Sequence, residues 1–234
     1  MNWELFKEHF HESWHNKMQP FIESEECDLI YKFLKSESRR GKRIAPLYNN
    51  VFRCFKETPL NEVNVVMIGM CPYHTFSNYL PVADGLLMGC SITGKLQPSL
   101  TKFYEGVTKE FHPGQEKIKE EPDVSYLAHQ GVLMLNAGLT VELNKAGSHN
   151  KIWEPFIKYV MEEILNYTGA PYIFLGKDAA YYERYTIPFS WVFKLSYPAS
   201  AAYKQGDWDT EGVFGKVNKI LKGNNNVTIN WLKQ

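Results

Sequence analysis

Residues 63–69 read VNVVMIG, a short run of β-branched and apolar residues that ends in a glycine. Such a run predicts a strand that is buried on both faces. Three further runs share this character: GVLML at 131–135, YIFL at 172–175 and WVFKL at 191–195. Between them, segments such as 153–165 carry apolar residues at helical spacing. Strands that alternate with helices predict an α/β fold, a three-layer α/β/α arrangement around a central, mostly parallel four-stranded sheet.

The length and composition fit one globular domain. The 234 residues include 44% hydrophobic and 15% aromatic side chains, enough for a core and too many for a disordered chain. We expect a single domain over residues 1–234, with an N-terminal helical part at 1–60 and an α/β core at 61–234. Basic and acidic residues balance at 26 each, so net charge gives no sign of nucleic-acid binding. A neutral protein can still bind DNA through a local basic stripe.

We expect neither a signal peptide nor a membrane span. Charged side chains interrupt residues 1–10, and no run of about 18 apolar residues follows. The four cysteines, Cys27, Cys54, Cys71 and Cys90, are scattered and form no CxxC pair. These features predict a cytoplasmic protein with reduced thiols and without a metal site.

Ligand sites in parallel sheets lie beyond the carboxyl ends of the strands. This rule selects four loops in the present chain, which follow Ile68, Leu135, Leu175 and Leu195. The functional motifs should therefore be sought in these loops.

The loops carry ordered motifs. Residues 69–74 read GMCPYH, which resembles the GQDPYH signature of the uracil-DNA glycosylase superfamily. Residues 135–141, LNAGLTV, resemble that family's LNAxLTV. LGK at 175–177 and YPAS at 197–200 stand where the family has a Gly-Ser clamp and an HPSP motif. Because the motif order is kept over residues 14–231, the chain is identified as an atypical, family 1-like member of this superfamily.

The resemblance implies an enzyme that flips a base out of DNA and hydrolyses its N-glycosidic bond without a cofactor. It implies a base-binding pocket formed by Gly69, Met70, Tyr73, Met88 and Asn136. Asn136 would read the base edge, since a carboxamide both donates and accepts hydrogen bonds; alternatively, it satisfies backbone groups at the strand end.

Two changes around the implied pocket bear on specificity. In the family, the tyrosine at the position of Tyr73 excludes thymine by blocking the face beside the 5-position of the base. Met88 replaces the family's stacking phenylalanine, and the loop from His74 to Asp84 is longer than the family's. The longer loop and the flexible Met88 side chain predict a pocket that is reshaped for a modified pyrimidine. Alternatively, the loop has changed in length and sequence without any change in specificity.

The sequence departs from the family at both catalytic positions. Cys71 replaces the aspartate that positions water and stabilises the cationic sugar, and Tyr197 replaces the histidine that stabilises the departing base. A tyrosine can still donate a hydrogen bond to a developing anion, whereas a thiol that titrates near about 8.5 offers little charge. Asp84 is our candidate for a relocated catalytic carboxylate; the alternatives are an exposed, turn-capping Asp84 and a nucleophilic Cys71.

The resemblance also implies a set of residues that contact the DNA backbone. They are His74, Pro98, Ser99, Gly176, Lys177, Ser200, Ala201, Tyr203 and Lys204. Lys177 would add attraction for phosphate beside Gly176. Ala201 takes the place of the family's leucine wedge, and because alanine cannot fill a vacated base stack, Tyr203 or Lys204 would assist it.

Two classes of function fit these features. The one that we favour is a monomeric DNA glycosylase for a modified pyrimidine, for example hypermodified cytosine in phage DNA, where abasic sites would block the invader's replication. The other is a catalytically inactive protein of the same fold that binds DNA or a protein partner. Weak excision of plain uracil by the remaining groups is a third possibility.

Overall fold

The strands of the structure confirm the predicted fold class. The structure is a computed structural model that describes residues 2–115 and 119–233. Its strands are β1 (Ile44–Ala45), β2 (Val65–Gly69), β3 (Phe76–Ser77), β4 (Leu80–Pro81), β5 (Val132–Asn136), β6 (Val141–Glu142), β7 (Tyr172–Leu175) and β8 (Val192–Leu195). Four of them form one parallel sheet in the order β5-β2-β7-β8. Strands β2, β5 and β7 are buried along their whole length, which explains their continuous apolar sequences.

Helices flank this sheet. They are α1 (His15–Ile22), α2 (Glu25–Arg39), α3 (Arg53–Glu57), α4 (Pro98–Phe111), α5 (Ser125–Ala128), α6 (Asn150–Tyr159), α7 (Lys177–Ala180), α8 (Pro198–Tyr203) and α9 (Val213–Asn225). A π-helical turn, Val160–Ile164, continues α6. Helix α2 begins where the Ser24 side chain accepts a hydrogen bond from the Cys27 amide, at 3.2 Å, and acidic residues fill its first turn.

The N-terminal helices share one hydrophobic core with the sheet. Trp14 is fully buried, and its ring lies edge-on to Phe55 with centroids 5.0 Å apart. The Trp14 indole donates to the Thr58 carbonyl at 2.8 Å, and the Thr58 hydroxyl donates to the Ala128 carbonyl at 3.2 Å. The helical part predicted at 1–60 therefore packs against α5 and is continuous with the rest of the molecule.

Two antiparallel pairs form in the connecting segments. Strand β1 pairs with β6, which follows the LNAGLTV loop. Strands β3 and β4 form a hairpin within the segment that follows β2. The segments that follow β2 and β5 are thus stabilised by the β3–β4 and β1–β6 strand pairs.

The four cysteines are buried and unbridged. Burial raises the pKa of Cys27 and Cys71 from 9.0 to about 11 and that of Cys90 to about 12. None of the helices within residues 2–115 and 119–233 combines the length and the apolar character that crossing a bilayer requires.

We predict that the protein loses stability at alkaline pH. A thiol whose pKa is higher in the folded than in the unfolded state stabilises the fold fully below pH 9.0, and loses this contribution as the pH rises towards the folded-state pKa. The free energy of unfolding in urea should fall above about pH 9, by up to about 1.4 kcal/mol per pH unit for each thiol. The slope should be smaller for Cys90→Ala; a free energy that stays constant up to about pH 10.5 would contradict the assignment.

Candidate active site

Strands β2 and β5 end side by side, with Gly69 paired to Asn136. Beyond the strands, the Ala137 amide donates to the Gly69 carbonyl at 2.8 Å. The Gly138 amide then donates to the Met70 carbonyl at 3.0 Å. The GMCPYH and LNAGLTV loops therefore leave the sheet as one hydrogen-bonded unit, which brings their functional side chains together.

Asn136 presents an unsatisfied amide at this junction. The residue is 2% exposed, and its Oδ1 atom is buried without a hydrogen-bond partner among the described residues. Leaving a buried acceptor unpaired costs about 1–3 kcal/mol, so such an atom marks a place where a ligand can supply the donor. The alternative interpretation, in which Asn136 satisfies the backbone, leaves Oδ1 unexplained.

Two tyrosines and a serine meet beside this amide-bearing loop. The Tyr73 hydroxyl lies 2.5 Å from the Ser99 hydroxyl in the first turn of α4. Burial raises the pKa of Tyr73 well above 10.0, and the neighbouring Tyr197 contributes. Burial also raises the pKa of Tyr197 to about 12, although Ser99 lowers it by hydrogen bonding. Both phenols are therefore neutral hydrogen-bond donors at physiological pH.

Cys71 lies in a small apolar cluster. It is 8% exposed and packs with Ala45, Ala83 and Val141. The Gly147 amide donates to its sulfur at 3.3 Å. Because burial raises the pKa of this thiol to about 11, Cys71 is uncharged at neutral pH and is a poor nucleophile. Cys71 therefore supplies no negative charge to this part of the molecule at neutral pH.

Asp84 is fully buried and engaged in internal contacts. Its Oδ1 accepts from the Leu86 amide at 3.1 Å, and its Oδ2 accepts from the Ser91 amide and hydroxyl at 3.0 and 2.6 Å. Arg53 on α3 completes the set with an ion pair of 2.9 Å. The predicted catalytic role is therefore corrected: the carboxylate holds its own loop and Arg53, whereas water activation requires a face open to substrate. Asp84 does cap a turn, through its hydrogen bond from the Leu86 amide, as the alternative interpretation predicts. It is buried, however, whereas that interpretation expected it to be exposed.

The loop that Asp84 holds through the Leu86 and Ser91 amides contains Met88, and we call this loop the wall. Met88 is 3% exposed and has a left-handed backbone, with φ at 60°. A Cβ atom on Gly89 would lie 2.2 Å from the Asp84 carboxylate, so only glycine fits there. Likewise, a Cβ on Gly69 would meet the Leu87 side chain at 2.3 Å. The wall is thus packed against both the carboxylate and the end of β2.

Comparison with known proteins places this arrangement in a family. The chain is 32% identical over 235 residues to a uracil-DNA glycosylase of Shewanella oneidensis, covering 99% of both chains. It is 30% identical over 227 residues to a uracil-DNA glycosylase of Streptococcus pyogenes, covering 95% of this chain and 99% of the relative.

The chain belongs to the uracil-DNA glycosylase family. The predicted superfamily is thereby confirmed. A crystal structure of mimivirus uracil-DNA glycosylase has the same fold, with a TM-score of 0.86 at 20% identity, covering 99% of this chain and 89% of that one. A structure from Nitratifractor salsuginis matches with a TM-score of 0.64 at 16% identity, covering 99% and 96%. No protein-family model matches the chain.

The residues predicted to contact DNA differ in accessibility. Lys177, Tyr203, Lys204 and Pro98 are exposed, with Tyr203 at 85%. Gly176 has a φ of 87°, and a Cβ there would lie 3.1 Å from the Tyr197 Cβ, which explains the glycine. His74 is half-buried, and its Nδ1 is buried without a partner among the described residues.

Two of the residues predicted to contact DNA are buried, and the hydroxyl of a third is hydrogen-bonded within the protein. Ser99 is 1% exposed and its hydroxyl is shared with Tyr73, so it positions that ring rather than facing a phosphate. Ala201 is 8% exposed and cannot act as a wedge, whereas Tyr203 on the same helix projects outward. The Ser200 hydroxyl donates to the Tyr197 carbonyl at 2.6 Å and stabilises the start of α8.

Sequence reasoning missed the side chains that support the site. The Trp153 indole donates to the Thr140 hydroxyl at 2.7 Å, so that this hydroxyl can donate to His149 Nδ1, 2.9 Å away. Burial lowers the pKa of His149, consistent with a neutral ring. Thr140 lies in the LNAGLTV motif, but the sequence does not show that His149 and Trp153 approach its hydroxyl. No group of three or more metal-binding side chains occurs in the described part of the chain.

We predict that Asp84→Asn destabilises the protein strongly. Asp84→Asn removes the charge of the fully buried partner of Arg53 and leaves the guanidinium with the more exposed Glu57 and Asp123, so the free energy of unfolding, measured in urea, should fall by about 3 kcal/mol. Asp123→Asn is the matched control: Asp123 also pairs with Arg53, at 3.3 Å, but is 42% exposed. Its loss should cost less than about 1 kcal/mol. An Asp84→Asn variant that is as stable as the wild type but inactive would restore the catalytic interpretation.

Proposed function

We propose that the protein is a DNA glycosylase that holds an extruded pyrimidine against Asn136 and Tyr73, and that its preferred substrate is a modified pyrimidine. The observation that carries the proposal is the buried, unpaired Oδ1 of Asn136 at the carboxyl end of β5. A pyrimidine edge that offers a donor to Oδ1 and an acceptor to Nδ2 would complete this amide. Membership of the uracil-DNA glycosylase family supports the reaction class.

The reaction would break the bond between the sugar C1′ and the base nitrogen, with the electron pair leaving on the base. A water oxygen would then bond to C1′, and its proton would pass to solvent. Tyr197 would donate a hydrogen bond to the negative charge that develops on the base. Because neither Cys71 nor Asp84 can offer an available negative charge, stabilisation of the leaving base becomes the main contribution of the protein.

Specificity for a modified base is supported by two features of the wall. The segment after His74 folds as the β3–β4 hairpin, and Met88 supplies a flexible side chain in place of an aromatic ring. The hydrogen bond between the Tyr73 and Ser99 hydroxyls favours the second candidate substrate, plain uracil, because it fixes a ring that would otherwise move for a 5-substituent.

The two substrates can be separated with matched duplexes. These would carry one uracil, one 5-hydroxymethylcytosine or one glucosylated 5-hydroxymethylcytosine, with an unmodified duplex as control. Base release would be scored as strand cleavage at abasic sites. Release from a hydroxymethylated duplex at a higher rate than from the uracil duplex is expected; release from uracil alone would support the second candidate. Tight binding without release from any duplex would support a non-catalytic protein.

Asn136→Ala should lower the single-turnover rate by about 100-fold or more, because the base edge then loses its positioning group. Asn64→Ala is a matched control, since Asn64 precedes the neighbouring strand β2 at its opposite end and donates to the Gln130 carbonyl at 3.0 Å. That variant should keep the wild-type rate. Equal rates for wild type and Asn136→Ala would contradict the proposed base reader.

Tyr197 makes a prediction about pH. Its pKa of about 12 keeps the hydroxyl protonated, so the single-turnover rate should stay level from about pH 6 to about pH 10 as far as this donor is concerned. The rate should decline as the pH approaches the pKa, because deprotonation removes the donor. Tyr197→Phe should be slower by about 10²-fold throughout. A wild-type profile with its only inflection near about pH 6.5 would assign the role to a histidine instead.

A further inference from the structure

The β3–β4 hairpin has a turn that its sequence does not favour. Asn78 and Tyr79 join the strands with φ values of 50° and 65°. A two-residue turn with both central residues left-handed usually has glycine second, because a side chain there is strained. Tyrosine at this position therefore lowers the stability of the turn, and its presence is better explained by a function than by folding.

The Tyr79 side chain is not used for packing. It is 90% exposed, and the ring lies 5.9 Å from the Arg43 guanidinium. A large aromatic side chain that is both strained and solvent-exposed contributes no burial energy that would offset its cost. Such a side chain fits a role as a contact surface for a partner.

Arg43 links this tip to the candidate active site. Its guanidinium stacks 4.1 Å from the centre of the Phe76 ring and donates to the Tyr79 carbonyl at 3.0 Å. Phe76 in turn packs on the cluster that contains Cys71. Arg43 is exposed, and its guanidinium contacts aromatic rings and the Tyr79 carbonyl but is in no ion pair among the described residues, so its charge is available to an anion. Arg43 thus holds the hairpin in place, and the tip presents the exposed Tyr79 ring beside the Arg43 guanidinium.

We propose that the β3–β4 hairpin is a DNA-contacting element, in which Tyr79 stacks on a base next to the extruded nucleotide and Arg43 binds a flanking phosphate. The inference rests on the proposed function, since it requires DNA at the adjacent pocket. An aromatic ring with a neighbouring guanidinium is the combination with which proteins hold unpaired or exposed bases without reading their sequence.

The reach of the hairpin agrees with such a contact. An extended chain advances at most about 3.3–3.6 Å per residue, so Tyr79 lies within about 14 Å of Thr75, where the hairpin departs. Successive nucleotides in duplex DNA advance by about 3.4 Å along each strand. Tyr79 therefore lies within a few nucleotide spacings of the end of the GMCPYH loop, which is hydrogen-bonded to the loop that follows Asn136.

The decisive variant is Tyr79→Gly, because glycine is the residue that the turn prefers. We expect its melting temperature to equal or exceed that of the wild type, while its dissociation constant for DNA rises by at least about fivefold. The probe is a fluorescently labelled duplex with one tetrahydrofuran abasic-site analogue, followed by anisotropy. Phe189→Gly is the matched control: Phe189 is 93% exposed but precedes β8, at the end of the sheet away from the site, and the variant should bind like the wild type.

Arg43→Gln tests the phosphate contact separately. Glutamine can keep the hydrogen bond to the Tyr79 carbonyl but removes the charge. The slope of the logarithm of the binding constant against the logarithm of salt concentration should decrease by about 0.7–0.9. An unchanged slope would overturn the assignment of Arg43.

The outcomes distinguish this inference from the proposed function. If Tyr79→Gly binds the probe and releases base like the wild type, the hairpin contact is overturned and the glycosylase proposal stands. If Tyr79→Gly binds weakly but also melts at a lower temperature, Tyr79 is structural and the contact is overturned. If the wild type fails to bind any of the duplexes, both proposals are overturned.

Discussion

The pairing of β2 with β5 is the constraint on which the candidate site depends. Their register places Gly69 opposite Asn136, and the hydrogen bonds beyond the strands carry this register into the two loops. A shift by one residue would reverse the direction of every side chain in the strand and remove the amide from the junction. The absence of a side chain at Gly69 then lets the wall at Leu87 approach the strand end. Backbone geometry therefore determines where the Asn136 amide lies relative to the GMCPYH loop.

The distribution of charge follows from this close packing. The buried centre contains a thiol and two phenols, all with a pKa raised by burial, while the buried carboxylate of Asp84 is matched by Arg53. A charge in the place of Cys71 would lie among Ala45, Ala83 and Val141, with one amide donor to stabilise it. The residues around Cys71 are thus suited to a neutral thiol.

Much of the fold could be predicted from the sequence because its signals are local. The buried strands are continuous apolar runs, and the predicted 172–175 strand coincides with β7. The segment 153–165, with its apolar residues at helical spacing, lies within α6 and the helical turns that continue it. The family motifs identify the loops that carry the candidate site. These loops lie close together because the carboxyl ends of parallel strands are at the same edge of the sheet.

The parts of the site that could not be predicted depend on contacts between distant residues. Asp84 has the sequence signal of a turn, but its partner Arg53 lies on the distant helix α3, and no spacing rule connects them. Ser99 resembles a phosphate contact until α4 is seen to bury it against Tyr73. The β3–β4 hairpin was hidden because its turn reads Asn-Tyr and lacks the glycine that usually marks such a turn.

An uncharged centre also constrains how rate and specificity relate. When no carboxylate stabilises the cationic sugar, bond cleavage depends more on how well the departing base carries negative charge. In the proposed function, hydrogen bonds to the base from Asn136 and Tyr197 would strengthen as that charge develops, so the groups that recognise the base would also assist its departure. A substrate whose base leaves readily would gain most from such a site, while a poor leaving group would bind without reacting. Recognition and catalysis would then reside in the same few neutral donors.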